Sequence, residues 1–355
     1  MIFSITLNPS LDYIVKTSKL NINSVNRTNE EMILPGGKGL NVSMVLRNLG
    51  INSISFGFIA GFTGAELKRL IAAKGIKTDF IQVRTGMSRI NVKVRAEDTY
   101  TKKNIYGEGA EENKSYSADQ NLSVGEALMN ELVVEETEIN GMGPTIDAEA
   151  MEELYHRLDQ LATGDFLVLA GSIPPSLPKS AYADMMERLS GRGIRFVVDA
   201  TGEALLKTLP FHPFLIKPNH HELGAIFGVD LVEMSGGNFE TLKENVKKYA
   251  CELQKMGALN VLISMGGMGA MLVTEQGQEF YAKAPEGKVV NSVGAGDSMV
   301  AGFLAGYLQE EEKQDPANDA KYLSALRMGI CAGSASAFSR ELATKEEVME
   351  LLKQY

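Results

Sequence analysis

Asn291-Ser292-Val293-Gly294-Ala295-Gly296-Asp297-Ser298 is the stretch with the clearest chemical capacity. It leads into an apolar run, Met299 to Leu308, where Val300, Phe303, Leu304 and Tyr307 recur at helical spacing. A helix start preceded by small residues attracts anions, because unpaired amides and the positive end of the macrodipole point the same way. A carboxylate at that spot repels a bound phosphate unless it has a task there. Asp297 could accept the proton of an attacking hydroxyl while the three amides around the two glycines hold a phosphoryl group in flight. The plainer alternative is a glycine turn in which Asp297 or Ser298 caps the helix.

Two further segments have similar grammar. Gly36-Gly37-Lys38-Gly39-Leu40-Asn41 opens a helix to about Gly50, with Val42, Val45, Leu46 and Leu49 on one face. Its glycines let the backbone approach a ligand closely, and Asn41 offers donor and acceptor to a sugar hydroxyl. Read plainly, it is a flexible turn with a solvent-facing lysine. Lys217-Pro218-Asn219-His220-His221-Glu222 follows an apolar strand and begins another helix. Asn219 and Glu222, three apart, could face one hydrated Mg²⁺ shared with phosphate oxygens, or they could form a capping box. Gly266-Gly267-Met268-Gly269 reads as a turn between two strands, near a ligand or simply a hairpin. No G-x-x-x-x-G-K-[ST] occurs, which excludes a P-loop, and no dinucleotide-type glycine spacing sits near the N-terminus.

These segments need a scaffold. Apolar runs at Ile2–Leu7, Ile54–Phe58, Phe166–Ala170, Phe196–Asp199, Phe214–Lys217 and Asn260–Ser264 alternate with helical patterns, among them Ala65–Lys74. That order predicts a parallel sheet covered on both faces, with ligands at the carboxyl ends of its strands. Asp12–Lys16, Ile90–Val94 and Thr137–Asn140 are additional strand candidates, the last two resembling hairpin arms interrupted by the polar stretch from Glu97 to Glu135. Within that stretch only Val124–Val134 has an amphipathic pattern, and its charge points to a solvent-exposed excursion.

Bulk properties narrow the function. With 44% hydrophobic and 23% charged residues the chain has the make-up of a globular protein, and it holds no apolar run long enough for a membrane span. A net charge of −10 opposes nucleic-acid binding, so an anionic substrate requires a local basic cluster. Cys251 and Cys331 sit in helical patterns as expected free thiols, and no basic leader precedes Ile2, so a reducing cytoplasm is the expected location. The four histidines lack zinc spacing, and the adjacent pair His220-His221 is not expected to place both rings on one helix face.

Taken together, the early Gly-Gly-Lys-Gly-Leu-Asn, the central Asn-x-x-Glu and the late Gly-Ala-Gly-Asp stand in the order found in the ribokinase-like, PfkB-type carbohydrate kinases, which the chain resembles over all but residues 97–135. Thr6-Leu7-Asn8-Pro9-Ser10-Leu11-Asp12, Lys38 and Thr137-Glu138-Ile139-Asn140-Gly141 are most similar to its bacterial branch acting on fructose 1-phosphate; kinases of tagatose 6-phosphate and fructose 6-phosphate are the alternatives. The resemblance implies a single three-layer α/β/α domain over residues 1–355. Its small β-lid would come from residues 10–35, 88–96 and 136–142, and an insertion over 97–135 would sit at that lid.

It also implies roles. Asp297 would be the base and Gly294, Ala295 and Gly296 the anion hole; Asp12, Gly37 and Asn41 would meet sugar hydroxyls; Lys38, Arg27 and Arg89 would hold the substrate's existing phosphate. Lys217, Ser264, Gly267, Gly269 and Ser292 would lie on the nucleotide side, with Asn219 and Glu222 organising Mg²⁺ through water or phosphate. ATP is the implied co-substrate, and a homodimer through the lid is implied as well. A non-catalytic sugar-phosphate sensor on the same fold is the remaining alternative; an intact Asp297 speaks against it.

Overall fold

The computed structural model describes residues 1–96, 136–311 and 318–355. The expected insertion over 97–135, with its helix at Val124–Val134, lies outside the described residues.

Seven parallel strands form the larger part of a nine-stranded sheet: β1 (Ile2–Thr6), β4 (Ser53–Ile59), β5 (Lys77–Gln82), β8 (Phe166–Ala170), β9 (Arg195–Asp199), β10 (Leu215–Ile216) and β11 (Asn260–Ser264). β12 (Ala270–Val273) and β13 (Glu279–Ala282) add antiparallel at one edge, so the glycines at 266, 267 and 269 do turn between two strands. The order is β13-β12-β11-β10-β9-β8-β1-β4-β5. Strands like Phe166–Ala170 are buried at every position, because helices cover both faces and leave no solvated side for alternation.

One face is closed by α3 (Ala148–Leu158), α4 (Ala181–Arg188) and α8 (Phe239–Lys255), whose Leu154, Leu158, Tyr182, Met185, Leu242 and Val246 join a core with Leu167 and Val198. The other is closed by α1 (Lys38–Asn48), α9 (Ala295–Glu311) and α10 (Asn318–Phe338), where Val42, Val45, Val300, Phe303 and Leu326 pack on Val168 and Val197. Three layers result. The chain builds β1, β4 and β5 outward in one direction and β8 to β11 in the other, so the order reverses between β1 and β8, which is where such sheets bind ligands.

A second sheet of four strands, β3-β2-β6-β7, stands over this crevice. It comprises β2 (Ser10–Thr17), β3 (Glu30–Gly36), β6 (Arg89–Ala96) and β7 (Glu136–Asn140). β6 and β7 pair antiparallel, as the hairpin arms predict. Leu34, Asp12, Asn91 and Asn140 lie in register across one face, and Ile33, Tyr13, Val92 and Ile139 across the other. Leu11 packs with Leu40, Met44 and Leu67 in a small third core that ties this sheet to α1 and to α2 (Gly61–Ala73).

Candidate active site

The carboxyl ends of the central strands deliver a row of polar groups to the switch point. Thr6 ends β1, Gly171-Ser172 follows β8, Asp199 ends β9, Lys217 follows β10 and Ser264 ends β11. All but Asp199 line one cleft, and the body adds Gly37, Lys38 and Asn41 from the α1 start and Gly294, Gly296 and Asp297 from the α9 start. The smaller sheet supplies Asp12, Arg89, Asn91, Lys93 and Glu138. Three motifs spread over more than 250 positions therefore converge because each occupies a βα or helix-start junction at the same end of the sheet.

The Asp297 carboxylate is 5% exposed. Asn41 Nδ2 donates to its Oδ2 at 2.7 Å, so the two glycine-rich helix starts are joined by one hydrogen bond. Burial pushes the Asp297 carboxyl up to about 6, helped by the Asp199 carboxylate and opposed by Lys38, Asn41 and Lys217. The expectation that Asp297 or Ser298 caps this helix is not met. The helix begins earlier, at Ala295, which places Asp297 inside its first turn, and Ser298 Oγ donates back to Gly294 O at 2.8 Å. Ser298 N also reaches Gly294 O at 2.8 Å, so the amides of Gly296 and Asp297 precede the first intrahelical acceptor pairing, as anion binding requires. The Ala295 amide instead donates to Ser292 O at 3.2 Å. Gly294 has φ +80, and a Cβ there would stand 2.6 Å from Leu342 Cδ2, so only glycine makes this turn.

Asp199 is the functional candidate that sequence reasoning missed. It is 1% exposed, with Oδ1 at 3.1 Å from Lys38 Nζ and 3.5 Å from Lys217 Nζ. Burial alone would raise this carboxyl; the two ammonium groups outweigh it and hold Asp199 below the usual carboxylate range. Burial likewise opposes the charge on Lys38, but Asp199, Asp297 and Glu222 prevail and raise it. Lys217 Nζ would be 3.1 Å from a Cβ on Gly296, so this lysine abuts the anion turn. A signal existed: an Asp at the end of an apolar parallel strand points to the ligand edge.

The remaining predicted residues divide. Asn219 and Glu222 form the capping box, Asn219 Oδ1 accepting from Glu222 N and Glu222 Oε2 accepting from Asn219 N, each at 2.8 Å, while both still line the cleft. Arg89 is there too, its Nε donating to Asn8 O at 2.9 Å; burial lowers its guanidinium, partly offset by Asp12 and Glu138. Asp12 accepts from Ser10 Oγ at 2.6 Å and Asn91 Nδ2 at 3.0 Å. Lys93, not anticipated, is buried in the smaller sheet with Nζ 3.6 Å from Asp12 Oδ2 and 3.3 Å from Glu138 Oε1. Arg27 lies in an exposed loop, and it, Ser292, Ala295, Gly267 and Gly269 do not line the cleft.

The two histidines look different ways, His220 buried and His221 exposed, although at the first two positions of α6 (His220–Ile226) their ring centroids lie 3.9 Å apart. Burial and the neighbouring ring lower His220 to about 4, so it is neutral at pH 7. Among the described residues no cluster of three His, Cys, Asp or Glu could hold a metal.

A buried carboxylate at a helix start, two lysines braced by a second buried carboxylate and a polar sheet above them are the parts phosphoryl transfer uses, on an α/β/α scaffold. The model of the pfkB family carbohydrate kinases matches residues 5–131 and 115–336. The chain is 40% identical over 352 residues to 1-phosphofructokinase of Bacillus subtilis (99% of this chain, 97% of that protein), and 32% identical over 342 residues to D-tagatose-1-phosphate kinase of Bacillus licheniformis (96% and 94%). The structure of Arabidopsis thaliana ribokinase complexed with ribose and ATP superimposes with a TM-score of 0.68 at 17% identity, covering 99% of this chain and 98% of that one, which establishes the ribokinase-like fold. The chain belongs to the pfkB family of carbohydrate kinases. It is an ATP-dependent sugar kinase, most similar to 1-phosphofructokinases.

Proposed function

We propose that this kinase transfers the γ-phosphoryl group of ATP to the C6 hydroxyl of fructose 1-phosphate, giving fructose 1,6-bisphosphate. The observation that carries the reading is the placement of Asp297: a buried, proton-avid carboxylate at an anion-binding turn, in a cleft shared with Arg89 and Lys93 of the smaller sheet. The C6 hydroxyl gives its proton to Asp297 as its oxygen bonds to phosphorus and the bond to the ADP oxygen breaks. The Gly296 and Asp297 amides, with Lys217 beside them, disperse charge on the phosphoryl group.

Geometry redistributes the lysines. Lys38 is braced by Asp199 on the body side, which suits the phosphoryl group in transit, whereas Arg89 and Lys93 on the smaller sheet suit the phosphate the sugar already carries. Asp12, Asn41 and the Gly37 backbone then face the sugar hydroxyls. The Asn219–Glu222 start suits Mg²⁺ held through water and phosphate oxygens, since a hard cation prefers such oxygen donors; the ion would neutralise phosphate charge there. The smaller sheet acts as a lid, and its outer row, with Ile33 52% and Ile139 64% exposed, supports a homodimer through the lid. Free thiols at Cys251 and Cys331 fit a cytoplasmic setting.

A coupled ADP assay over ketohexose phosphates tests the assignment. Fructose 1-phosphate should give the highest kcat/KM, above D-tagatose 1-phosphate, tagatose 6-phosphate, fructose 6-phosphate and unphosphorylated fructose. A 6-phosphate leading the series would refute it, because its C6 oxygen is already esterified.

A further inference from the structure

A chain of buried hydroxyls ends on the turn that carries the anion-binding amides. Ser298 Oγ donates to Gly294 O at 2.8 Å, Ser298 Oγ and Ser336 Oγ are 2.7 Å apart, and Ala343 N donates to Ser336 Oγ at 2.8 Å. Both serines are sealed from solvent, Ser298 at 0% and Ser336 at 1% exposure. The proton directions follow from the groups themselves. A carbonyl can only accept, so the single proton of Ser298 goes to Gly294 O, and the proton between the two hydroxyls comes from Ser336. Ser336 can give it, because its oxygen already accepts from the Ala343 amide. Every member therefore points the same way, from Ala343 through Ser336 and Ser298 to the Gly294 carbonyl.

The segment that starts this relay is anchored independently. Ala343 O accepts from Asn48 Nδ2 at 2.8 Å, at the far end of α1, whose first turn carries Lys38 and Asn41. One residue earlier, Leu342 packs against the turn, its Cδ2 2.6 Å from where a Cβ on Gly294 would stand. One segment thus holds Gly294 both by contact and by relayed hydrogen bonds. The turn needs such support: glycines flank Ala295, the first residue of α9, and glycine resists helical order, so an unsupported first turn would fray and no longer aim the Gly296 and Asp297 amides at one point. We propose that Ser336 is a positioning residue for phosphoryl transfer, which through Ser298 fixes the Gly294 carbonyl and so the direction of those two amides. This rests on the reading of the turn as the site that disperses phosphoryl charge.

The test is steady-state kinetics of the full chain as Ser336→Ala, Ser298→Ala and the double variant, on whichever ketohexose phosphate the wild type turns over fastest, with urea denaturation of each. Either single variant should lower kcat about tenfold while KM for the sugar phosphate stays within about twofold, because Arg89 and Lys93 lie outside the relay. The double variant should lose no more than either single one, since one missing link already breaks the relay. A multiplicative loss in the double variant, an unchanged kcat in folded Ser336→Ala, or a raised KM with kcat unchanged would each overturn the proposal. Should Ser336→Ala not fold, Ser298→Ala decides alone, alanine being favoured in a helix, and full kcat there overturns the proposal as well. Failure of the fructose 1-phosphate assignment changes the preferred sugar and not these ratios, and failure of Asp297 as base shows in Asp297→Asn, so neither is mistaken for failure of the relay.

Discussion

Replacing Asp297 by Asn should lower activity by orders of magnitude and stabilise the fold. The carboxyl ordinarily titrates at 3.8 and is pushed to about 6 in the folded protein, chiefly by burial. A raised carboxyl binds its proton more tightly folded than unfolded, so its penalty is absent below the unfolded value, grows as pH rises between the two, and is complete above about 6. The interval corresponds to about 3 kcal/mol at pH 8 and about half of that at pH 5. Asn is close in shape, carries no charge, and can still accept from Asn41 Nδ2 through its amide oxygen. Urea denaturation of both proteins at pH 8 and pH 5 measures the gain, while kcat should fall by roughly 10²–10⁴ as general-base catalysis is lost. A gain independent of pH, or no gain at pH 8, would refute the claim that the carboxylate is held at a cost.

The same residue should set an acidic limb in kcat near pH 6, with activity rising as Asp297 loses its proton; Lys38 lowers that value, so Lys38→Met should move the limb to higher pH, and a stationary limb would remove Lys38 from the electrostatics of the base. Asp199 acts in the opposite sense. Asp199→Asn should shift the limb to lower pH while raising KM for ATP about tenfold or more, because Lys38 and Lys217 lose their brace; unchanged KM would confine Asp199 to a structural part. Ile139→Asp on the outer row of the smaller sheet should shift sedimentation from dimer to monomer, and an identical profile in variant and wild type would rule out that face.

Much of the scaffold was legible because the parallel strands are short apolar runs with no competing period, as at Phe166–Ala170 and Asn260–Ser264, which the structure places at those bounds. The helix after Gly294 was legible from Val300, Phe303, Leu304 and Tyr307, yet its first residues were not. Gly-Ala-Gly is a poor helix former, yet α9 begins at Ala295, where its first turn lies close against α10: a Cβ on Gly333 would stand 3.0 Å from Ala295 O. The motif residues were readable as a set for the same reason that they converge: each sits at a junction on one end of the sheet. Asp199 and Lys93 belong to no motif: Asp199 showed only as the last residue of an apolar strand and Lys93 not at all, since their significance depends on which strands become neighbours. Arg27 illustrates the converse: a basic residue beside strand-like sequence had no signal to separate the cleft wall from the exposed loop between β2 and β3.

The buried charges explain why a carboxylate can sit at a phosphate site in a protein of net charge −10. Asp199 and Asp297 are balanced by Lys38 and Lys217, so the body side of the cleft is close to neutral before substrate arrives. Neutrality leaves Asp297 free to respond to its surroundings. In the proposed mechanism an approaching phosphoryl group would add negative charge beside the carboxylate and closure of the small sheet would exclude water, and both would raise its proton affinity further. Asp297 would then be strongest as a base when the phosphoryl group and the sugar hydroxyl are both in place, and weaker when the nucleotide is absent. Asp199 supports this arrangement: without its charge burial would still raise Asp297, but the two lysines would pull it lower than it now stands, and the carboxylate would be a weaker acceptor for an alcohol proton.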